Sequence, residues 1–128
     1  MNNQQIPSDI QLHRASRELA LSYPDGETYQ LSCEYLRVFS PSAEVMGHGP
    51  GQEILQTGKI AVGITDIKPV GNYALQLIFD DGHDTGLYSW EYLYKLCTEQ
   101  ESRWRDYLAR LNKAGASRDP QVQVLKLD

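Results

Sequence analysis

The sequence predicts a small α+β domain of antiparallel hairpins with short helices, and three observations carry that prediction. Leu75, Leu77 and Phe79 alternate with Gln76, Ile78 and Asp80 ahead of an Asp81-Gly82 turn, which is the period of a strand with one buried face. Trp90, Leu93, Tyr94 and Cys97 then fall at i, i+3, i+4, i+7 behind Ser89, a residue whose hydroxyl accepts from free N–H groups at a helix start, with Glu91 in the favourable first turn. The third observation is that this strand, turn, short strand and helix unit comes twice. Leu19-x-Leu21-x-Tyr23-x-Asp25-Gly26 lies over Leu75-x-Leu77-x-Phe79-x-Asp81-Gly82, and the same step carries Leu31 onto Leu87. With one residue inserted, Ser32-x-Glu34-Tyr35-Leu36 lies over Ser89-x-Glu91-Tyr92-Leu93. Two copies are fewer than a repeat array needs, so they read as halves of one core, in two sheets or in one sheet of two hairpins.

Composition supports one ordinary domain. The 128 residues suffice for a single core, and 41% hydrophobic with 23% charged residues is a globular balance. A formal charge of −5 and a pI near 5.1 argue against binding a phosphate backbone, which calls for Lys and Arg concentrated on one face. No apolar run reaches the roughly 20 residues of a membrane helix, and MNNQQIPSDI lacks the charged-then-apolar order of a signal peptide. The expected setting is cytoplasmic, with no nucleic-acid or membrane partner. Cys33 and Cys97 show no CxxC spacing and are expected to be small buried residues.

In chain order, residues 1–8 are polar and expected to be disordered, residues 9–112 form the domain, and residues 113–128 read as a mobile tail. Ile10, Leu12 and Arg14, then Leu19, Leu21 and Tyr23, make a hairpin about Ala15-Ser16-Arg17. Leu31 to Leu36 is the start of a short helix. Ser40 to Lys59, rich in Gly, Pro and Ser, is expected to be a loop without helix or strand. Ile60, Val62, Ile64 and Ile67 predict a strand that Lys68-Pro69-Val70-Gly71-Asn72 turns back into Tyr73–Phe79. Trp104, Tyr107, Leu108 and Leu111 form the apolar side of a second helix, opposite Arg103, Arg105, Asp106 and Arg110.

Few residues carry candidate chemistry. Gly47-His48-Gly49-Pro50-Gly51 is neither a Walker motif nor GxGxxG: Glu53 stands where the first loop glycine before Gly58-Lys59 would be, and Ile60 replaces the Mg²⁺-binding hydroxyl. It reads as a turned surface loop, of a kind that often binds something. His83, flanked by Asp80, Asp81 and Asp84, is expected at an exposed turn, and imidazole beside carboxylates is also metal-ligand chemistry. A facial iron triad would need a second histidine, and the pattern supplies no HxD or HxE step. Ser32, Ser40 and Ser42 lack the GxSxG elbow of a hydrolase. Tyr88, Trp90, Tyr92 and Tyr94 follow at spacing two, so some must leave the core face, where a Tyr or Trp surface would suit protein binding.

Leu36-Arg37-Val38-Phe39-Ser40-Pro41-Ser42-Ala43-Glu44-Val45 with Gly47–Gly51, and Asp80-Asp81-Gly82-His83-Asp84-Thr85-Gly86-Leu87-Tyr88-Ser89-Trp90, closely resemble the DUF971 family, the γ-butyrobetaine hydroxylase-like N-terminal domain. The likeness runs from about Ile6 to Leu111. It implies a non-catalytic α+β module, found alone in bacteria, ahead of 2-oxoglutarate-dependent oxygenases, or attached to P-loop carriers of iron–sulfur clusters. In the oxygenases the resembling domain carries a structural zinc on three cysteines and a histidine. The matching positions here are Ser40, Ser42 and Val45, with His83 as the histidine, so three of four ligands are replaced. The reading is therefore a stand-alone module that binds a protein, either an oxygenase or an iron–sulfur assembly factor, through Gly47, His48, Gly49, Gly51, His83, Asp84 and Tyr88. No cofactor is expected. The alternative is a metal protein that holds zinc, iron or another divalent ion with His83, Asp84 and His48 or a cysteine. An oxygenase in its own right would need a facial triad and a larger barrel.

Overall fold

The computed structural model describes residues 5–125 and Leu127. Residues 1–4 of the polar start, and residues 126 and 128 of the tail, lie outside the described residues. The first unit is β1 (Asp9–His13), β2 (Glu18–Ser22), β3 (Thr28–Ser32) and helix α1 (Cys33–Val38). After a four-residue helix α2 (Ala43–Met46), the second unit is β4 (Ile64–Val70), β5 (Ala74–Phe79), β6 (Leu87–Ser89) and α3 (Trp90–Thr98). Helix α4 (Gln100–Ala114) closes the set.

Each unit is a three-stranded antiparallel meander, ordered β1-β2-β3 and β4-β5-β6, so the domain has two sheets. The alternation in sequence sets the register. Leu19 and Leu21 on the central strand β2 pair with Leu12 and Ile10 on one side and with Leu31 and Tyr29 on the other. Leu77 and Leu75 on β5 pair with Ile67 and Pro69, and Leu75 also with Tyr88 of β6. Sliding either central strand by one residue would turn its leucines to the opposite face. Leu19, Leu21, Leu31, Leu77, Leu93 and Leu96 are fully buried and belong to one cluster spanning both units, so the halves share a core.

The doubled serine is a doubled N-cap. Ser32 Oγ accepts from Tyr35 N at 3.0 Å and Ser89 Oγ accepts from Tyr92 N at 3.1 Å. Each satisfies a backbone donor that the first helical turn cannot, which ends the strand and starts the helix in the same place in both copies. Gly26 and Gly82 likewise take matching left-handed conformations, φ 94° and 90°, which favour glycine in the turn.

The structure corrects four expectations. Ile60 to Gly63 is not strand; β4 runs Ile64–Val70 through Pro69, and the reversal falls at Gly71–Tyr73. Proline is tolerated there because β4 is an edge strand, where a missing N–H costs no ladder bond. The glycine-rich connection contains helix α2, capped by Ser42, whose Oγ accepts from Glu44 N at 3.2 Å. Leu108 on α4 is 40% exposed, while Tyr107 and Leu111 pack with Val38 in a second small cluster. His83, expected at an exposed turn, is 7% exposed.

Beyond α4 the chain returns across the domain. Gly58 N and Ile60 N donate to the carbonyls of Ser117 and Arg118 at 2.9 and 3.0 Å. Arg118 forms a two-pronged ion pair with buried Glu34, at 2.7 and 2.8 Å, and its guanidinium lies over Trp104. Planar fork-to-carboxylate pairing of this kind fixes direction as well as charge. No helix is long and apolar enough to cross a membrane, among the described residues.

Candidate functional site

The polar centre of the molecule lies where the α1–α2 segment meets the β5–β6 hairpin. It is assembled from a helix end, a turn and two hydroxyl-bearing stretches. The last carbonyls of α1 have no partner within the helix. Tyr88, on β6, donates its hydroxyl to Leu36 O at 2.6 Å, and Tyr92, on α3, donates to Phe39 O at 2.6 Å. Tyr107, on α4, reaches Gln56 O at 2.7 Å. The tyrosines at spacing two therefore serve to hold backbone. Tyr88 is fully buried, its phenol pushed above the ordinary range by that burial, and it offers no surface for a partner. The expected interaction role of its ring is corrected accordingly.

The turn residue Asp81 gathers charge. Its Oδ2 accepts from Arg37 Nε at 2.9 Å and from Lys59 Nζ at 2.6 Å, while Oδ1 accepts from His83 N at 3.2 Å. Burial alone would raise the Asp81 carboxyl, but the hydrogen bonds from Lys59, His83 and Arg37 outweigh it and bring the group down to about 2. Arg37, with only 9% of its side chain exposed, has its second arm on Gln56 Oε1 at 3.0 Å. These bonds tie α1, the 56–59 stretch and the second-unit turn together.

Next to that ion pair, His83 Nε2 lies 2.8 Å from Ser40 Oγ, and Ser40 Oγ also accepts from Ser42 N at 3.2 Å. The carboxylate beside Nδ1 favours the neutral tautomer with its proton there, in which Nε2 accepts from the Ser40 hydroxyl. Nδ1 faces Glu44 Oε1 at 3.9 Å. Burial and the Arg37 charge hold the His83 pKa below its ordinary 6.5, against the smaller pull of Glu44 and Asp81. Ser42 Oγ and Thr85 Oγ1 are 2.7 Å apart, and Thr85 donates to Glu44 Oε1 at 2.6 Å. The backbone closes directly on this cluster: a Cβ on Gly86 would stand 2.5 Å from Ser40 Oγ.

Serine, imidazole and carboxylate in this order also describe a nucleophile relay. Substrate cannot reach it, because Ser40 is fully buried. Zinc fits the cluster no better. Ser40 and Ser42 bring hydroxyls, Val45 brings a buried alkyl group, and the Nε2 lone pair of His83 is taken by Ser40. Among the described residues no group of three or more His, Cys, Asp or Glu side chains could hold a metal ion. Cys33 and Cys97 are free and buried, and burial raises both thiols, Cys97 to about 11. Neither is a reactive thiolate.

The surface of the site is the loop that follows α2. Gly47 has φ 73°, and a Cβ there would overlap the Gln52 carbonyl, so the turn requires glycine. Gly47 N bonds Ala43 O at 3.0 Å, Gln52 N bonds Gly49 O at 3.0 Å and Ile54 N bonds Val45 O at 2.8 Å. The loop is thus a hydrogen-bonded turn, and it frames a shallow depression of about 390 Å³ lined by Met46, Gly47, His48, Gly49, Pro50 and Glu53. Met46 and Ile54, at its two ends, are 42% and 55% exposed. His48 and Asp84 are exposed, while His83 is buried against Ser40. Of the residues singled out in sequence, the loop glycines, His48 and Asp84 are thus at the surface, and His83 and Tyr88 are interior. Sequence reasoning missed Thr85, Glu44, Lys59 and Gln56, whose roles exist only once the two segments meet.

Comparison with known proteins places the chain. The family model described as gamma-butyrobetaine hydroxylase-like, N-terminal, matches residues 10–94. A protein solved by NMR in solution is 54% identical with a TM-score of 0.84, covering 98% of each chain. A second solution structure is 50% identical with a TM-score of 0.79, over 100% of this chain and 96% of the other. The crystal structure of a protein of unknown function of the DUF971 family, from Acidithiobacillus ferrooxidans, is 38% identical with a TM-score of 0.61, over 75% of this chain and 97% of that one. No curated protein matches.

Proposed function

The chain belongs to the gamma-butyrobetaine hydroxylase-like N-terminal domain family, and on that premise we propose that it is a non-catalytic interaction module whose docking rim is the glycine loop between Met46 and Ile54. The observation that carries this reading is the pair of exposed apolar side chains, Met46 and Ile54, at either end of a loop whose shape is fixed by Gly47. A rigid loop loses little conformational freedom on binding, and apolar anchors in such a frame supply most of an interface's affinity. Gly47, His48, Gly49 and Gly51 form the contact, Asp84 flanks it, and His83 and Tyr88 hold the α1–α2 segment that leads into the loop. By analogy with the family, the partner is an oxygenase or an iron–sulfur carrier, met in the cytoplasm.

The test is co-purification of the tagged chain from its native cell extract, with Met46→Asp and Ile54→Asp as variants. Both positions are exposed, so the fold should stand. The reading expects a partner that is captured by the wild type and lost, by tenfold or more in affinity, from both variants. A partner retained undiminished by both variants would refute it.

A further inference from the structure

We infer that Ser40, Ser42, Glu44, His83 and Thr85 form a metal-free clamp, which fastens the α1–α2 segment to the second-unit hairpin at the positions where the family resemblance implies a zinc. The inference starts from that mismatch and does not depend on what the loop binds.

Its first support is that the network is directionally complete. Thr85 gives its one proton to Glu44 Oε1, so in its bond with Ser42 it accepts and Ser42 Oγ donates, while Ser42 Oγ itself accepts from Glu44 N. Ser40 Oγ accepts from Ser42 N and gives its proton to His83 Nε2. The second support is burial. Ser40, Ser42 and His83 are 0%, 6% and 7% exposed, so the Ser40–His83 and Ser40–Ser42 bonds replace ones that water cannot remake, and leaving a partner unpaired there is costly. The third is chain geometry: the links join residues 41 to 43 positions apart, as a bound ion would. A cation at His83 Nε2 would have to break the bond to Ser40. The donors left to it are hydroxyls and one exposed carboxylate, a poor set for zinc.

The experiment uses the full chain, produced in zinc- and iron-supplemented medium. Metal content is measured by elemental analysis, and thermal unfolding is followed with and without excess chelator. Ser40→Ala and Thr85→Ala are melted alongside. The clamp predicts far less than one metal per chain, a melting temperature that the chelator leaves unchanged, and a drop of about 3–8 °C in each variant. One zinc or iron per chain whose removal lowers the melting temperature would overturn it. So would variants that melt with the wild type. Should either variant fail to fold, the metal content and chelator response of the wild type still decide.

Discussion

The two units begin from nearly the same sequence and end with different duties. Asp25-Gly26 and Asp81-Gly82 form the same turn, with glycine φ of 94° and 90°. Among the described residues Asp25 accepts from the nearby Glu27 N alone, at 3.0 Å, whereas Asp81 accepts from Arg37, Lys59 and His83. The first helix opens on Cys33, the second on Trp90, which donates to Asn72 O at 2.9 Å. Beyond the first turn the chain goes straight into β3; beyond the second it makes a longer return through His83, Thr85 and Gly86 before β6. What the copies share is scaffold, and the place where they diverge marks the site. The second unit's turn became the anchor for α1 and Lys59, while the first unit's turn remained a plain reversal.

That contrast is open to direct attack, and the strongest blow falls on Gly86. Its counterpart in the first unit is Gln30, an exposed residue of β3. Gly86→Ala would push a methyl into Ser40 Oγ and the Tyr88 ring and should cost about 1–3 kcal/mol, as overpacking does. Gln30→Ala should change stability by less than about 0.5 kcal/mol. Denaturant titration of the two variants checks both, and equal losses would erase the distinction between the turns.

Next in size is the pair of aspartates. Asp81→Ala leaves the largely buried Arg37 with Gln56 alone and frees Lys59, a loss of about 1–3 kcal/mol. Asp25→Ala removes one exposed turn contact and should cost under about 1 kcal/mol. Chemical denaturation again separates them, and a larger cost at Asp25 would contradict the account.

The smallest effect is the dependence on pH. His83 is held neutral in the fold with its pKa lowered from 6.5, so the unfolded chain binds more protons than the folded one just below that value. Its contribution is fully present above pH 6.5 and is lost as the pH falls toward the lowered folded value. Asp81 behaves alike in a more acid window, its contribution lost between the ordinary 3.8 and about 2. Melting temperatures from pH 7.5 to 5 should decline in the wild type and flatten in His83→Gln. A decline of the same slope in that variant would remove His83 from the explanation.

Much of the scaffold is visible in the sequence because it rests on local rules. Period-two leucines gave both central strands, and Ser32 and Ser89 gave both helix starts, since capping needs only residues three apart. The site was less visible, for physical reasons that can be named. Ser40 and His83 are 43 positions apart, and nothing local requires that they meet. Flanking carboxylates made His83 look like a turn residue in water, but its ring folds inward beneath the hairpin. Pro69 looked like the end of a strand, and the edge position of β4 lets it stay within one. The Tyr88 ring reads as surface by spacing alone, because the orphan carbonyl it serves, Leu36 O, lies on another element. Polar composition after Ala114 gave no sign that Arg118 would return to Glu34.

The central claim is that the second unit's hairpin, through the Ser40–His83 contact, fastens the α1–α2 segment from which the glycine loop springs. Native-state amide hydrogen exchange on Ser40→Ala tests it most directly. The account predicts faster exchange at the Gly47, Gln52 and Ile54 amides, with β2 and its neighbours as protected as in the wild type. Unchanged protection at those three amides, or an equal loss throughout both sheets, would contradict it.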